Sequence, residues 1–153
     1  MKKALILIST SLVLFCASMY GKSTMHKGNS TSFYDIIYTW DGNHVYSGNS
    51  TSFYDIVYTF DGQYIYKGNS TSFYDILFTW DGRYLYSGRS TSFYDIILTF
   101  DGKYVYNGRS TSFYDILFTL SNNHIYKGQS TSYYDILYTI EGHIPFAALI
   151  MMF

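Results

Sequence analysis

A nine-residue motif returns every twenty residues along this chain of 153 residues, and it constrains the fold more than any other feature. The motif is Gly-x-Ser-Thr-Ser-Phe-Tyr-Asp-Ile, and its last copy differs only in carrying Tyr133 in place of Phe. A fixed short period without insertions indicates that the chain repeats one supersecondary unit. The six copies begin at Gly28, Gly48, Gly68, Gly88, Gly108 and Gly128.

Each unit carries two turn signals, and the residues between them favour strands. Asp61-Gly62 and its equivalents predict a two-residue hairpin turn of type I′, in which both central residues have positive φ. This turn places Phe60 opposite Gln63 and Tyr58 opposite Ile65. The Gly-x pair that opens each motif predicts a second tight turn. Because Tyr, Phe, Ile and Val are abundant and the chain holds one proline, the fold class is predicted to be all-β.

The two turns divide each unit unequally, into five residues such as 43–47 and eleven such as 50–60. We therefore expect each long segment to form two half-strands that pair with different short strands, with a bend near Asp55, Asp75 and their equivalents. Six hairpin repeats of this kind predict a shallow, flower-like barrel, because closure removes exposed strand edges. An open solenoid of hairpins is the alternative, and a ring completed by a second copy also fits the sequence.

The N-terminal residues 1–21 differ from the repeats. Lys2 and Lys3 precede an apolar stretch at residues 4–17, which is the layout of a secretory signal peptide. We therefore expect an exported protein, located in the periplasm, the outer envelope or outside the cell. A retained anchor helix is the alternative, and lipidation of Cys16 also stays open.

The C-terminal residues 143–153 follow the repeat domain, which we assign to residues 22–142. They carry no Asp, Glu, Lys or Arg, and Pro145 followed by Phe, Ala, Leu, Ile and Met predicts a short apolar helix. If the ring closes, this helix fits its centre as a plug. The alternative is a frayed or membrane-contacting tail.

The aspartate near the end of each motif is the most regularly repeated charged residue. In a closed ring these carboxylates would be suited to holding a cation or to proton transfer. Their identical use in every unit instead favours a structural role, as corner residues that accept backbone N–H groups where the strand ladder is interrupted. The sequence lacks the usual metal, phosphate and nucleophile motifs, so we predict no enzyme, no cofactor and no metal site. The corner residues are Asp35, Asp55, Asp75, Asp95, Asp115 and Asp135.

Aromatic side chains make up 22% of the chain and are its best hint of a binding role. Trp40 and Trp80, with the tyrosines at 46, 66, 86, 106 and 126, are candidates to stack on sugar rings or to lie at a lipid interface. The alternative is that these rings form the core. The formal net charge of −1 gives no reason to expect a nucleic-acid partner.

Written as Tyr-x-Gly-Asn-Ser-Thr-Ser-x-Tyr-Asp-Ile-x-Tyr-Thr-x-Asp-Gly, the units resemble the repeats of the bacterial four-fold β-flower family over about residues 24–153. The resemblance implies hairpin petals around a shallow closed barrel with a hydrophobic centre, often with an apolar helix, although this chain has six units. It implies no established activity. We therefore predict a non-enzymatic secreted or envelope protein with a structural or membrane-associated role and membrane lipid as its partner. A carbohydrate-binding surface module, which would bind surface glycan through the aromatic stripes, is the alternative.

Overall fold

The computed structural model describes residues 21–152, so the predicted signal peptide lies outside the described residues apart from Gly21. Twelve strands form one closed antiparallel barrel in which each strand is hydrogen-bonded to its sequence neighbours. A short helix, α1 (Phe146–Leu149), and a turn of 3-10 helix (Ile150–Met152) follow the last strand. The strands are β1 (Ser23–Lys27), β2 (Ile36–Trp40), β3 (His44–Ser47), β4 (Ile56–Phe60), β5 (Tyr64–Lys67), β6 (Ile76–Trp80), β7 (Tyr84–Ser87), β8 (Ile96–Phe100), β9 (Tyr104–Asn107), β10 (Ile116–Ser121), β11 (His124–Lys127) and β12 (Ile136–Glu141).

The barrel closes within one chain, because β1 pairs with β12 as well as with β2. Met25 lies opposite Ile140, and Lys27 lies opposite Tyr138. Five of the six hairpins are continuous in sequence, whereas the sixth is assembled from β12 and β1 at the two ends of the repeat domain. The open solenoid is therefore wrong, and closure requires no second copy.

The expectation that each long segment forms two half-strands is wrong. Only the second part of the segment is a strand. This one strand, β4 in the example, pairs with β3 on one side and with β5 on the other. The first part is a wide connection that begins at Gly48 and ends in a turn of 3-10 helix, Phe53–Asp55. The Gly-x pair therefore opens a wide connection and does not close a hairpin. The predicted tight turn is present at the start of two of these connections, where the N–H groups of Ser110 and Ser130 donate to carbonyls three residues earlier. The expected irregularity near Asp55 is present as a bulge, since Val45 faces Tyr58 while Tyr46 faces Ile56.

The tight turns also differ from the predicted type. Asp61 is not a central residue, because its N–H donates to the Tyr64 carbonyl and leaves Gly62 and Gln63 at the centre. Gly62 has φ of 103°, and the Asp61 carboxylate accepts the N–H groups of Gln63 and Tyr64 at 2.9 and 2.7 Å. This carboxylate satisfies turn donors from a flanking position, as Asp does in Asx-turns.

The strand register moves with the turn. Phe60 lies opposite Ile65 and Tyr58 opposite Lys67, two residues from the expected pairing. A shift of two keeps the residues from Tyr58 to Phe60 on their predicted faces, because the side-chain period of a strand is two. The bulge changes the face of Ile56, which was expected beside Tyr58 but lies opposite Tyr46. Among the described residues only Asn122 and Asn123 form a turn with two consecutive positive φ values, 50° and 62°, and they join Ser121 to His124.

The core lies inside the barrel, and the C-terminal helix fills it. Ala147 and Leu149 are buried, and both belong to the same apolar cluster as the inward residues of the short strands. The Phe146 ring stacks on Phe100 with a centroid distance of 3.9 Å and lies 5.0 Å from the Trp80 ring. The plug is therefore the arrangement that forms. The central residues of the short strands that surround it are Met25, Val45, Ile65, Leu85, Val105 and Ile125.

The two ends of the barrel differ in their connections, because consecutive strands run antiparallel. All six wide connections leave one end, which we call the wide-loop end. The tight turns and the tail that leads to α1 leave the other, the tight-turn end. No helix in the described part of the chain is long and apolar enough to cross a bilayer.

Candidate functional site

Each wide connection is shaped by serine and aspartate side chains that are local in sequence. In the unit that follows β3, Ser50 donates its hydroxyl to the Asp55 carboxylate at 2.6 Å and accepts the Ser52 N–H at 3.0 Å. Ser52 caps the 3-10 turn by accepting the Tyr54 N–H. Side-chain bonds of this kind compete with a strand ladder and favour turns. They explain why the most repeated motif of the chain is not a strand.

The 3-10 turns display aromatic side chains in solvent. Tyr54 is 92% exposed and Phe53 is 64% exposed, and their rings meet edge to face at a centroid distance of 5.7 Å. A turn of three residues has no face that could bury both rings. The same pair occurs in all six connections, and we call these twelve residues the aromatic crown: Phe33, Tyr34, Phe53, Tyr54, Phe73, Tyr74, Phe93, Tyr94, Phe113, Tyr114, Tyr133 and Tyr134.

The aromatic crown is the largest repeated apolar feature of the described surface. It surrounds the wide-loop end, where three lysines and two arginines stand near the six corner aspartates, so the local charge nearly cancels. Large exposed apolar patches mark interaction sites in soluble proteins. The five cationic residues are Lys27, Lys67, Arg89, Arg109 and Lys127. Lys22 adds a sixth cation, since its ammonium group donates to the Asn49 side chain in a wide connection.

Two crown rings are each covered by a cationic side chain from the next petal, where a petal means one wide connection with its aromatic pair. The guanidinium groups of Arg89 and Arg109 lie within 3.3 Å of the ring centroids of Phe73 and Phe93. Each arginine is the residue after the glycine that opens the following wide connection. Adjacent petals therefore touch through cation–π contacts at these two places.

The six corner aspartates occupy equivalent places, one at the end of each 3-10 turn. Each carboxylate accepts the hydroxyl of the serine five residues earlier, at 2.5–2.6 Å, so the donor differs from the backbone N–H groups that the sequence suggested. This hydrogen bond joins the start of each connection to its last residue, which directly precedes the next strand. In the described part of the chain, no group of three or more His, Cys, Asp and Glu residues has the arrangement of a metal site.

The tryptophans are not a contact surface. Trp40 is 4% exposed and belongs to the core, so its assignment as an aromatic contact is wrong. Trp80 is half-buried and packs on Phe146. Both rings face the centre of the barrel because they stand on the same strand face as Phe60. The carbohydrate alternative loses its proposed stripes here, since the tyrosines at 46, 66, 86, 106 and 126 are also buried.

Four of these five buried tyrosines donate a hydrogen bond to the tight turn of their own hairpin. The Tyr66 hydroxyl donates to the Asp61 carboxylate at 2.7 Å. Burial, and then this hydrogen bond, raise the pKa of Tyr66 to about 12. Burial also acts to raise the pKa of Asp61, but the N–H groups of Tyr64 and Gln63 and the Tyr66 hydroxyl outweigh it and lower that pKa below its usual value. The same bond recurs in the hairpins of Tyr46, Tyr86 and Tyr106.

The sixth hairpin, which β12 and β1 form from the two ends of the repeat domain, has other residues at the positions of this tyrosine and this aspartate. His26 stands where continuous hairpins have the tyrosine, and Glu141 stands where they have the aspartate. The His26 Nε2 atom lies 3.1 Å from Glu141 Oε2, and its Nδ1 atom lies 3.1 Å from the Ser32 carbonyl. Ser23 adds bonds to the backbone N–H and carbonyl of His143, at 2.9 and 3.1 Å.

Three open cavities lie at the tight-turn end. One of about 260 Å³ is lined by Asn123, His124, His143 and Ile144, at the place where the turn sequence departs from Asp-Gly. The other two, of about 250 and 440 Å³, lie beside Trp40 and beside Phe100. None of the three includes a residue of the aromatic crown.

The aromatic crown is the feature that sequence reasoning missed. The aromatic pattern of the sequence predicts a binding surface of tryptophans and strand tyrosines, and it gives the Phe-Tyr pair of the motif no role. The signal was nevertheless in the motif, where Ser52 is a capping residue and Asp55 follows only three positions later. Two aromatic residues enclosed between a cap and a turn residue have no strand ladder to join.

Comparison with known proteins places the chain in a described family. A family described as 6-fold beta flower protein matches residues 25–150, which is most of the chain. The six units agree with the symmetry of that family, so the four-fold form named in the sequence analysis is corrected to six-fold. No curated protein and no solved structure matches the chain.

Proposed function

The chain belongs to the 6-fold beta flower protein family, and we propose that this member is a non-enzymatic protein that attaches to a lipid surface through its aromatic crown. The observation that carries this proposal is the exposure of the six crown tyrosines Tyr34, Tyr54, Tyr74, Tyr94, Tyr114 and Tyr134, each 91–92% exposed beside a second aromatic ring. Tyr rings favour the interface between water and lipid, because one end of the ring is apolar and the other is polar. The apolar Phe ring beside most of them is suited to burial on the lipid side of that interface.

The repetition of the crown favours a lipid surface over a single protein partner. The six Phe-Tyr or Tyr-Tyr pairs have the same turn and the same cap, and the second tyrosine of each pair is exposed to the same degree. A lipid interface offers all six pairs an equivalent environment, whereas an asymmetric protein would contact each pair differently. Several weak contacts made together then add through avidity.

The charge at the wide-loop end favours a zwitterionic surface. Six cations, including the Lys22 that donates to Asn49, and six aspartates leave almost no net charge there, so attraction to anionic lipid contributes little. Attachment therefore depends on the burial of aromatic area and changes little with salt concentration.

The non-enzymatic part rests on the uniformity of the polar residues. Each corner aspartate has the same serine partner, whereas a catalytic site needs differentiated acid and base groups. Export through a signal peptide at residues 1–21 stays part of the proposal, on the pattern of Lys2, Lys3 and the apolar residues 4–17.

The test is co-sedimentation of the repeat protein with phosphatidylcholine vesicles, for the natural chain and for a Tyr54→Ser, Tyr74→Ser variant. Burial of about 50 Å² of each ring is worth ~1 kcal/mol, so losing two rings should weaken vesicle affinity by about thirtyfold. A Tyr64→Ser, Tyr84→Ser variant removes the same number of tyrosines near the tight turns and should bind as the natural chain does. Thermal unfolding of all three proteins checks that each is folded.

Two results would refute lipid attachment. One is that the natural chain does not sediment with vesicles, and the other is that both double variants bind equally well. Analytical ultracentrifugation without lipid adds a separate check, since a crown that instead joins two copies of the chain would give a dimer that the crown variant loses.

A further inference from the structure

Two rings of the aromatic crown already contact a cationic group, which is an arginine side chain of the same chain. Arg89 covers the Phe73 ring and Arg109 covers the Phe93 ring, each from sixteen residues further along the chain. Aromatic faces attract cations because the ring quadrupole is negative on its faces. These contacts show that a crown ring of this petal geometry accepts a positive group from outside its own turn.

The other four petals have an aromatic ring at the same position but no arginine. For the three phenylalanines the residue sixteen positions later is an amide, as with Asn69 for Phe53, and for Tyr133 the equivalent residue around the ring is Asn29. Within residues 21–152 no cation–π contact covers these four rings, which belong to Phe33, Phe53, Phe113 and Tyr133.

The open and the covered petals differ measurably. The four open rings are 63–65% exposed, whereas Phe73 and Phe93 are 55 and 56% exposed. In the open petals the two rings meet at 85–89°, and in the covered ones at 76° and 78°. An open petal therefore presents more ring surface, set nearly at a right angle to a second ring.

We propose that the four open rings bind the quaternary ammonium group of choline lipids. A trimethylammonium group is a weakly hydrated cation with an apolar surface, so it suits an aromatic corner better than a strongly hydrated primary ammonium group does. The corner aspartate beside each ring pair adds negative potential. This inference rests on the proposed attachment to lipid and adds the head-group chemistry to it.

The first test compares vesicles of phosphatidylcholine with vesicles of matched acyl chains in which phosphatidylethanolamine replaces most of that lipid. Both head groups are zwitterionic, so the comparison isolates the methyl groups on nitrogen. Exposed cation–π contacts are individually weak, but four acting together should favour the choline vesicles by about tenfold. Tetramethylammonium chloride should compete for binding, whereas ammonium chloride at the same ionic strength should not.

The second test uses variants that exchange the two kinds of petal. Asn69→Arg supplies Phe53 with the cation that Phe73 already has, and should lower the preference for choline vesicles by about twofold or more. Asn69→Gln is the neutral control and should leave that preference unchanged. Asn69 is the better site than Asn49, because Asn49 accepts a hydrogen bond from Lys22. Arg89→Asn opens the Phe73 ring and should raise the preference.

The outcomes separate this inference from the function on which it rests. Equal binding to choline and ethanolamine vesicles, with loss of binding in the crown variant, would overturn choline recognition and leave lipid attachment intact. A preference for choline that Asn69→Arg and Arg89→Asn both leave unchanged would also overturn it. Absence of binding to either vesicle would overturn both proposals.

Discussion

Replacement of Gly142 by alanine tests how the ring is closed. Gly142 follows β12 and has φ of 87°, a conformation that alanine adopts only with strain. A Cβ at this position would overlap Ser23 Oγ and lie 2.9 Å from Ser23 Cβ and 3.2 Å from its Cα. The backbone of β1 would therefore have to move away from β12. Gly62 is the matched control, because its φ is 103° but no atom lies within 4 Å of a Cβ there.

The two substitutions should differ by the contacts at the closure. Strain from positive φ costs both variants about 1–2 kcal/mol. Gly142→Ala adds about 1–3 kcal/mol for the enforced shift, and loss of the two bonds between Ser23 and His143 adds about 1 kcal/mol each. The free energy of unfolding should therefore fall by about 3–5 kcal/mol more in Gly142→Ala than in Gly62→Ala.

Urea unfolding followed by circular dichroism measures this difference, and amide hydrogen exchange locates it. Exchange in β1 should increase in Gly142→Ala, while exchange in β5 should increase in Gly62→Ala. In the Gly142→Ala background, Ser23→Gly removes the closest atoms and should restore part of the stability. If both single variants lose the same stability and β1 stays protected, the pairing of β1 with β12 does not close the ring as described.

Two further predictions concern the tight turns and the plug. Tyr66→Phe should lower the free energy of unfolding by about 1 kcal/mol, while Tyr126→Phe, whose hairpin has Ser121 in place of the aspartate, should change it little. The pKa of Tyr66 is raised to about 12. The stability from its bond with Asp61 is therefore complete below pH 10 and is lost as the pH rises through 12. The urea midpoints of the natural chain and of Tyr66→Phe should converge as the pH rises through 12. Phe146→Ala should lower the free energy of unfolding in urea by about 2–4 kcal/mol, because it removes the ring that stacks on Phe100. Phe53→Ala on the crown should lower it by under about 0.5 kcal/mol. Equal losses in these two variants would contradict a plugged barrel.

The all-β class, the closed ring and the plug could be predicted because each depends on a pattern that is visible in one unit or at one end. The period of twenty and the glycines define the units, and an uncharged tail of Ala, Leu, Ile and Met has few places to be buried except inside a ring. Which residues share a strand face was also predictable, whereas which face is inward was not, because both faces are largely apolar or aromatic. Phe60 and Ile65 are inward and Thr59 and Tyr66 are outward, as the alternation of side chains requires.

The length of the strands could not be predicted from turn spacing alone. Ser50, Ser52 and Asp55 form a chain of side-chain hydrogen bonds that competes with the ladder, and its strength depends on geometry that spacing does not reveal. The turn register failed for a related reason. Asp61 serves the turn through its carboxylate from a flanking position, so the glycine alone takes positive φ and the loop is displaced by one residue.

The departures from six-fold symmetry in the tight turns also follow from which hydrogen-bond partners each hairpin contains. His44 has Asp41 beside its Nδ1 atom at 3.2 Å, whereas His124 has Ser121 in that place, and its buried Nδ1 atom has no hydrogen-bond partner among the described residues. The change that removes this partner also removes Asp-Gly, and Asn122-Asn123 then forms the turn with two positive φ values. Changes in the tight turns therefore alter hydrogen bonds one hairpin at a time. The Phe-Tyr pairs vary by a single residue in six copies, which is the pattern expected of a surface whose contacts act together rather than one by one.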